Sequence, residues 1–386
     1  MPISLKERFR FNKISILLFV GLVTSISNGL FNTIWALFLD SFLHNESYVG
    51  LFSTIISIAT LISFIVLVPL IEKYQENKIY FYSVLFSILI LFLYPLFKSI
   101  YVVLILSLIY TIFGVLRAES FGIMYRKESK IKSLGKNEGL VYTLSNVGWL
   151  IGPLIGVLLL KTQNFSITFI VIALLVFIAL LIFSFYKHNY KKYKIKYKLL
   201  TNIKSFFKNK DLRNLYLSGI GSSVWLGFVF IYIPLYMVRQ GIEKSQVGLF
   251  FFALILPLLI EYTIGKKSDK LGTKSFITSG YFIISIFSII AFISNNIYPV
   301  LSSIILASFG VAFLGPTKEI SFFKLLNKQE EERYYGIFLT HLEVGLLLGK
   351  FIPALLLLFL PFNYIFIVLA IIMFAFGLVS LNLKNI

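Results

Sequence analysis

Apolar positions in this chain do not alternate as in a strand, nor line one side of short helices. They come in blocks of about 20 residues, broken by short polar stretches. Blocks near 14–39, 48–70, 79–97, 101–124, 138–160 and 166–186 are each long enough to cross a bilayer as a helix. Six more lie near 213–238, 247–264, 275–293, 299–318, 336–360 and 363–383. The first is too long for a signal-peptide core and lacks a small-residue cleavage pattern, so it reads as a retained span. The pattern predicts an all-α membrane protein of twelve transmembrane helices.

The deepest polar break runs from Lys187 to Arg213 and carries ten Lys/Arg against one acid, Asp211. Such a run cannot cross hydrocarbon cheaply, so it lies outside it, beside anionic headgroups. It divides the chain into an N-terminal six-helix bundle (1–186), a basic cytoplasmic linker (187–212) and a C-terminal six-helix bundle (213–386).

The two halves repeat one another. Ser47-Tyr-Val-Gly-Leu-Phe52 returns as Ser245-Gln-Val-Gly-Leu-Phe250. Gly139, Gly148 and Gly152 return as Gly336, Gly345 and Gly349, with Pro353 where Gly156 stands, and Glu72-Lys73 returns as Asp269-Lys270. Three matches in order at nearly one offset indicate a duplicated six-span unit and hence two pseudo-symmetric bundles.

Composition agrees: 58% hydrophobic, 14% charged, mean hydropathy +0.89, too apolar for a soluble domain. A net charge of +19 invites a nucleic-acid partner, but its placement argues against one. Thirty of the thirty-six Lys/Arg fall on the linker side. Lys98, Lys161, Arg239 and Lys244 fall on the other, and Arg117 and Lys350 sit within spans. This is the positive-inside bias, and it orients both termini toward the cytoplasm of a multi-pass protein of the cell membrane. The absence of Cys excludes a disulfide framework, a thiolate metal site and a Cys nucleophile.

Polar residues inside spans carry the candidate chemistry, because they are costly there without a partner or water. On the first span, Ser25, Asn28, Asn32 and Trp35 share a helical face, which suits either helix packing or a substrate cavity; Asp40 reads as an outer-loop residue. Arg117 and Glu119 on the fourth span point apart, so each needs its own partner. The seventh carries a stripe of Ser218, Ser222, Trp225, Tyr232 and Tyr236, which packing alone also explains. On the tenth, Ser308, Gly315 and Glu319 share a face with Lys318 beside it. On the eleventh, Glu343 and Lys350 lie opposite the Gly345/Gly349 face, which His341 shares. Glu119, Glu319 and Glu343 are the candidate proton carriers, since burial raises a carboxyl's affinity for its proton. They could equally be halves of fixed ion pairs. Glu261 reads as a brace for the loop that follows it.

Two motifs carry a family resemblance. In the fifth span Gly148, Gly152 and Gly156 recur every fourth residue beside Pro153, after Gly139; the small face lets a neighbouring backbone approach, and the proline bends the helix. This resembles the antiporter motif of drug–proton antiporters in the major facilitator superfamily, with Val157 where that motif has a second Gly. Gly265-Lys-Lys-Ser-Asp269-Lys270-Leu-Gly272-Thr-Lys274 resembles the superfamily's loop signature; Gly265 and Gly272 are expected to allow a sharp reversal there. The first-half copy departs from it at Val68, Gln75 and Asn77. Arg117-Ala-Glu-Ser-Phe-Gly122 only echoes the family's proton-linked Arg motif.

The resemblance covers the whole chain. It implies the superfamily's bundle, alternating access, and a cavity wall on spans one, four, seven and ten, hence Asn28, Asn32, Trp35, Arg117, Trp225, Tyr232 and Tyr236 as cavity residues. No Walker motif, zinc-binding His-Glu-x-x-His or Gly-x-Ser-x-Gly elbow is present, so no ATP motor, metal, cofactor or enzyme activity is expected. The expected function is proton-coupled export of a small amphipathic or drug-like compound by a monomer in contact with lipid. A uniporter or symporter for a small metabolite, and a non-transporting sensor or scaffold, are the alternatives.

Overall fold

The computed structural model describes residues 13–71, 74–128, 134–162, 164–186 and 199–385, and among these it is helical with no strand. The first half supplies α1 (Lys13–Leu43), α2 (Glu46–Ile71), α3 (Glu76–Leu93), α4 (Ile100–Glu128), α5 (Leu134–Leu160) and α6 (Phe165–Ser184). A short helix, α7 (Leu199–Lys208), precedes α8 (Lys210–Arg239). Then come α9 (Lys244–Ile255), α10 (Glu261–Leu271), α11 (Thr273–Ile293), α12 (Ile297–Leu325), α13 (Lys328–Leu356) and α14 (Tyr364–Ser380).

Asparagines open many of these helices. Asn164, Asn209 and Asn296 accept from backbone N–H groups of the first turns of α6, α8 and α12, and Asn327 with Glu330 closes a capping box on α13. Proline shapes the interiors: 3₁₀ turns replace α-helix at Tyr94–Leu96 and at Leu256–Ile260, each with Pro near its start. The second of these divides the eighth apolar run between α9 and α10.

Eleven of the helical segments are long and apolar enough to span a membrane, counted over the described residues. The twelfth apolar run forms the 17-residue α14. That gives about 26 Å of rise against about 30 Å of hydrocarbon.

The chain divides into two compact units, Met1–Phe31 with Ile62–Ile195, and Asn32–Leu61 with Lys196–Ile386. In the first, α3 packs on α4 and α6, with Phe86 stacked on Phe113 at 4.7 Å and Tyr94 on Phe169 at 5.0 Å. The basic ends of its helices are laced together: Lys13 pairs with Glu128 at 3.3 Å and Lys127 with the buried Glu76 at 2.6 Å. In the second unit, α12 and α14 flank α11, and α8 packs on α13. Gly280 and Gly310 let the α11 and α12 backbones meet: a Cβ on Gly280 would stand 2.7 Å from the Gly310 carbonyl oxygen.

Part of the basic linker, 187–198, lies outside the described residues, as does the Glu72-Lys73 pair of the internal repeat. The rest of the linker is helical. Phe206 of α7 is fully buried, edge-on to Tyr216 and Tyr334, while Arg333 of α13 donates to Asn202 at 2.6 Å and to Ser205 at 3.0 Å. Lys204 and Lys208 stay exposed on the opposite side.

Candidate functional site

The glycine seams fix where the polar residues stand. In α5, a Cβ on Gly148 would lie 2.6 Å from the Ser25 Cβ and 2.9 Å from the Leu22 carbonyl oxygen. On Gly152 it would lie 2.6 Å from the Ile26 carbonyl oxygen. The second half repeats this arrangement: Gly345 of α13 abuts the Ser223 Cβ, the Ile220 carbonyl oxygen and the Val224 nitrogen, and Gly349 abuts the Val224 carbonyl. The atoms met by Gly148 recur 198 positions on around Gly345, so duplication extends to the atoms in contact. Gly156 is buried, and Gly139 lies in the first turns of α5.

The first unit holds Asn28, Arg117 and Glu119. Arg117 of α4 is 9% exposed, and its Nη1 has no hydrogen-bond partner among the described residues. The buried Tyr80 of α3 is near enough to feel its charge. Asn28 and Glu119 are half-buried.

The second unit holds the rest. Lys318 of α12 is 6% exposed and donates to Ser222 of α8, with Glu319 and Glu261 as the acids whose charge it feels. It therefore does not belong with the basic residues of the inner surface, where the charge pattern alone puts it. Glu261 faces Gly315 of α12, a Cβ there standing 2.8 Å from its Oε1, so it reaches a neighbouring helix as well as starting α10. His341 of α13 is 1% exposed and packs on Gly219 of α8; its Nδ1 lies 2.6 Å from the Phe338 carbonyl oxygen.

Lys350 of α13 is half-buried and donates to Ser57 of α2 at 2.8 Å. The fully buried Tyr232 donates its hydroxyl to the Lys350 carbonyl oxygen and lies against Gly50 of α2. Glu343, seven residues before Lys350, is the acid whose charge this lysine feels. Neither Lys318 nor Lys350 makes an ion pair with a described residue. Serine hydroxyls on other helices hold them instead.

Other sequence-marked residues are spread along the same unit. Trp35 is 9% exposed and packs near Phe38 and Phe52, and Asn32 lies one turn before it, half-buried. Trp225 is 1% exposed, with its indole N–H unpartnered among the described residues. Tyr236 packs on Phe362 and Phe366 at 5.0 and 5.5 Å. In the loop signature, Gly272 joins α10 to α11 with φ of 83°, a conformation that favours glycine. Gly265 instead lies inside α10, so the reversal expected of both glycines falls on Gly272 alone. Lys270 is exposed, Lys274 lies in the first turn of α11, and Asp269 belongs to the last turn of α10.

Asp40 is not a loop residue. It is 8% exposed within α1, and Arg239 at the end of α8 grips it with two bonds of 2.6 and 3.0 Å while donating to Glu46 at 2.6 Å. Sequence gave no sign of this pair or of the two serine partners. Serine is common in membrane helices, and these partners stand 96 to 293 residues apart in the chain.

Long apolar helices carrying buried ionisable residues define a polytopic membrane protein. The chain belongs to the Major Facilitator Superfamily, whose model matches residues 17–313 and 244–384. It is 27% identical over 225 residues to an uncharacterised MFS-type transporter of Methanocaldococcus jannaschii, covering 56% of this chain and 58% of that one. It is 27% identical over 230 residues to the staphylopine export protein of Staphylococcus aureus, covering 55% of this chain and 57% of that one. The chain thus spans less than three fifths of the length of each of these relatives. Its fold is similar to that of the nucleoside transporter NupG (TM-score 0.76, 13% identity, 97% of this chain and 100% of that one). A POT family transporter in complex with 5-aminolevulinic acid is similar too (TM-score 0.79, 12% identity, 95% of each chain).

Proposed function

We propose that the protein is a secondary active transporter of the cell membrane, working by alternating access and exporting a small amphipathic compound in exchange for protons. The observation that carries this reading is the set of ionisable residues held within the spans: Arg117, Glu119, Lys318, Glu319, Glu343 and Lys350. Ionisable groups in hydrocarbon are expensive to hold even when compensated, and a chain that keeps this many within its spans has a use for them. Similarity to an export protein supports the direction. The two duplicated halves act as the moving bodies, with both termini and the basic linker on the cytoplasmic side. Asn28, Asn32, Trp35, Arg117, Trp225, Tyr232 and Tyr236 are the substrate residues of this reading, and Glu119, Glu319 and Glu343 its proton carriers.

A carboxyl that faces water on alternate sides takes up a proton on one and yields it on the other, coupling its charge to the cycle. Glu→Gln variants at the three positions test this in proteoliposomes, assayed for flux driven by a pH gradient and for exchange without one. A coupling acid, once neutralised, loses gradient-driven accumulation and keeps exchange. If every variant keeps its pH dependence, or loses stability and both activities together, the proton-coupled reading fails and a uniporter or symporter for a small metabolite replaces it.

A further inference from the structure

We infer that Lys350 and Ser57 form a binding point for an oxyanion, so that the transported compound carries a carboxylate or phosphate group. This rests on the transporter reading and adds the charge of its substrate.

Hydrogen-bond donors decide what this point can hold. A lysine ammonium offers three N–H bonds and no acceptor. One goes to Ser57 Oγ at 2.8 Å, and two remain without a partner among the described residues. The serine oxygen, occupied as an acceptor, still has its own O–H to give. The point where the two side chains meet therefore presents hydrogen-bond donors around a positive charge, the arrangement an oxyanion fills and a cation does not.

The groups that face it come from three elements. Ser57 is on α2, Tyr232 of α8 spends its hydroxyl on the Lys350 carbonyl, and Glu343 lies on α13 itself. Seven residues of helix separate Glu343 from Lys350, about 10.5 Å of rise, and no ion pair joins Lys350 to any described acid. A lysine kept for structure would be expected to sit against a carboxylate, since a lone intramembrane cation destabilises the protein that holds it. Lys350 sits against a neutral hydroxyl, and its backbone is pinned in place. Lys318 with Ser222 shows the same chemistry, but two acids, Glu319 and Glu261, act on its charge where Glu343 alone acts on that of Lys350, so Lys350 carries the stronger case.

Thermal unfolding of the purified full-length protein tests this without knowledge of the natural substrate. Wild type, Lys350→Met, Lys350→Gln and Ser57→Ala are titrated with citrate and with inorganic phosphate against chloride at constant ionic strength. General salting effects act on all four proteins alike. Citrate or phosphate should raise the wild-type Tm beyond this common shift, the excess vanishing in both Lys350 variants and shrinking in Ser57→Ala. Whichever of the two probes gives the larger excess separates a carboxylate from a phosphate. Without oxyanion, Lys350→Met should melt above wild type, because a half-buried cation with no ion pair among the described residues has been removed. Equal oxyanion shifts in wild type and the Lys350 variants, including no excess in any, overturn the proposal whatever the ligand-free Tm. An excess shift in a protein that moves no compound across vesicles leaves this site standing and removes the transport reading. Flux of neutral or cationic compounds without an oxyanion shift does the reverse.

Discussion

Single side chains decide two matters here. Asp40 is buried against an Arg239 whose side chain is 35% exposed, so the pair is stronger than a surface bridge and weaker than a fully buried one. Asp40→Asn and Arg239→Gln should each lower unfolding stability by about 1–2 kcal/mol. Because Asp40 acts through Arg239, which also holds Glu46, the double variant should lose little more than Arg239→Gln alone. Additive losses in thermal melts would show that each residue works through a different partner. At the seam, Gly152→Leu places a branched side chain where backbone atoms of α1 already stand at 2.6 Å. Overpacking of this kind costs about 1–3 kcal/mol, and the variant should insert into the membrane yet lose flux. Unchanged flux and melting would mean that this face meets lipid.

At the scale of elements, α7 is the clearest case of a segment whose composition is only half its story. Its lysines mark it as surface, and Lys204 and Lys208 are exposed. Phe206, however, docks it onto α8 and α13 by edge contacts with Tyr216 and Tyr334. Phe206→Ala should weaken that docking by about 3 kcal/mol and speed tryptic cleavage at Lys204 and Lys208 in inside-out vesicles. Cleavage at the wild-type rate would show that the helix is held by Arg333 and its two hydroxyl and amide acceptors instead.

Elements also show what sequence makes legible. Spans, repeat and glycine spacing can be read directly, because length and period are properties of one stretch of chain. The Gly148 and Gly345 faces are of this kind. Asp40 with Arg239, Lys318 with Ser222 and Lys350 with Ser57 are not, since each joins helices whose register against one another is set only by packing. Gly265 shows a subtler limit: a motif glycine expected in a turn lies one helix turn or more before the turn itself, which Gly272 makes. The loss of Lys318 from the inner surface has a similar origin. A run of basic residues beyond an apolar block marks a boundary, but α12 continues through it to Leu325.

For the whole molecule, the charge tally predicts Asn45, Asn164 and Asn295 on one side of the membrane and Lys136, Lys196 and Lys328 on the other. Single-Cys variants read this cleanly, since the native chain has no cysteine. An impermeant thiol reagent on intact cells should mark only the first three positions. Labelling at position 196 in sealed cells would invert the orientation and, with it, the direction proposed for transport.

Exchange of a small compound against protons is tested most directly by following the protons. Proteoliposomes enclosing a pH-sensitive dye are given, in turn, compounds that raise the protein's Tm, since ligands of the folded state stabilise it. With no pH gradient imposed at the start, an entering substrate should drive protons outward and raise the internal pH. The change should be absent from empty vesicles and from vesicles bearing Glu343→Gln if this acid is the carrier. Stabilising compounds that cross the membrane with no change of internal pH, or that bind without crossing, would contradict the account.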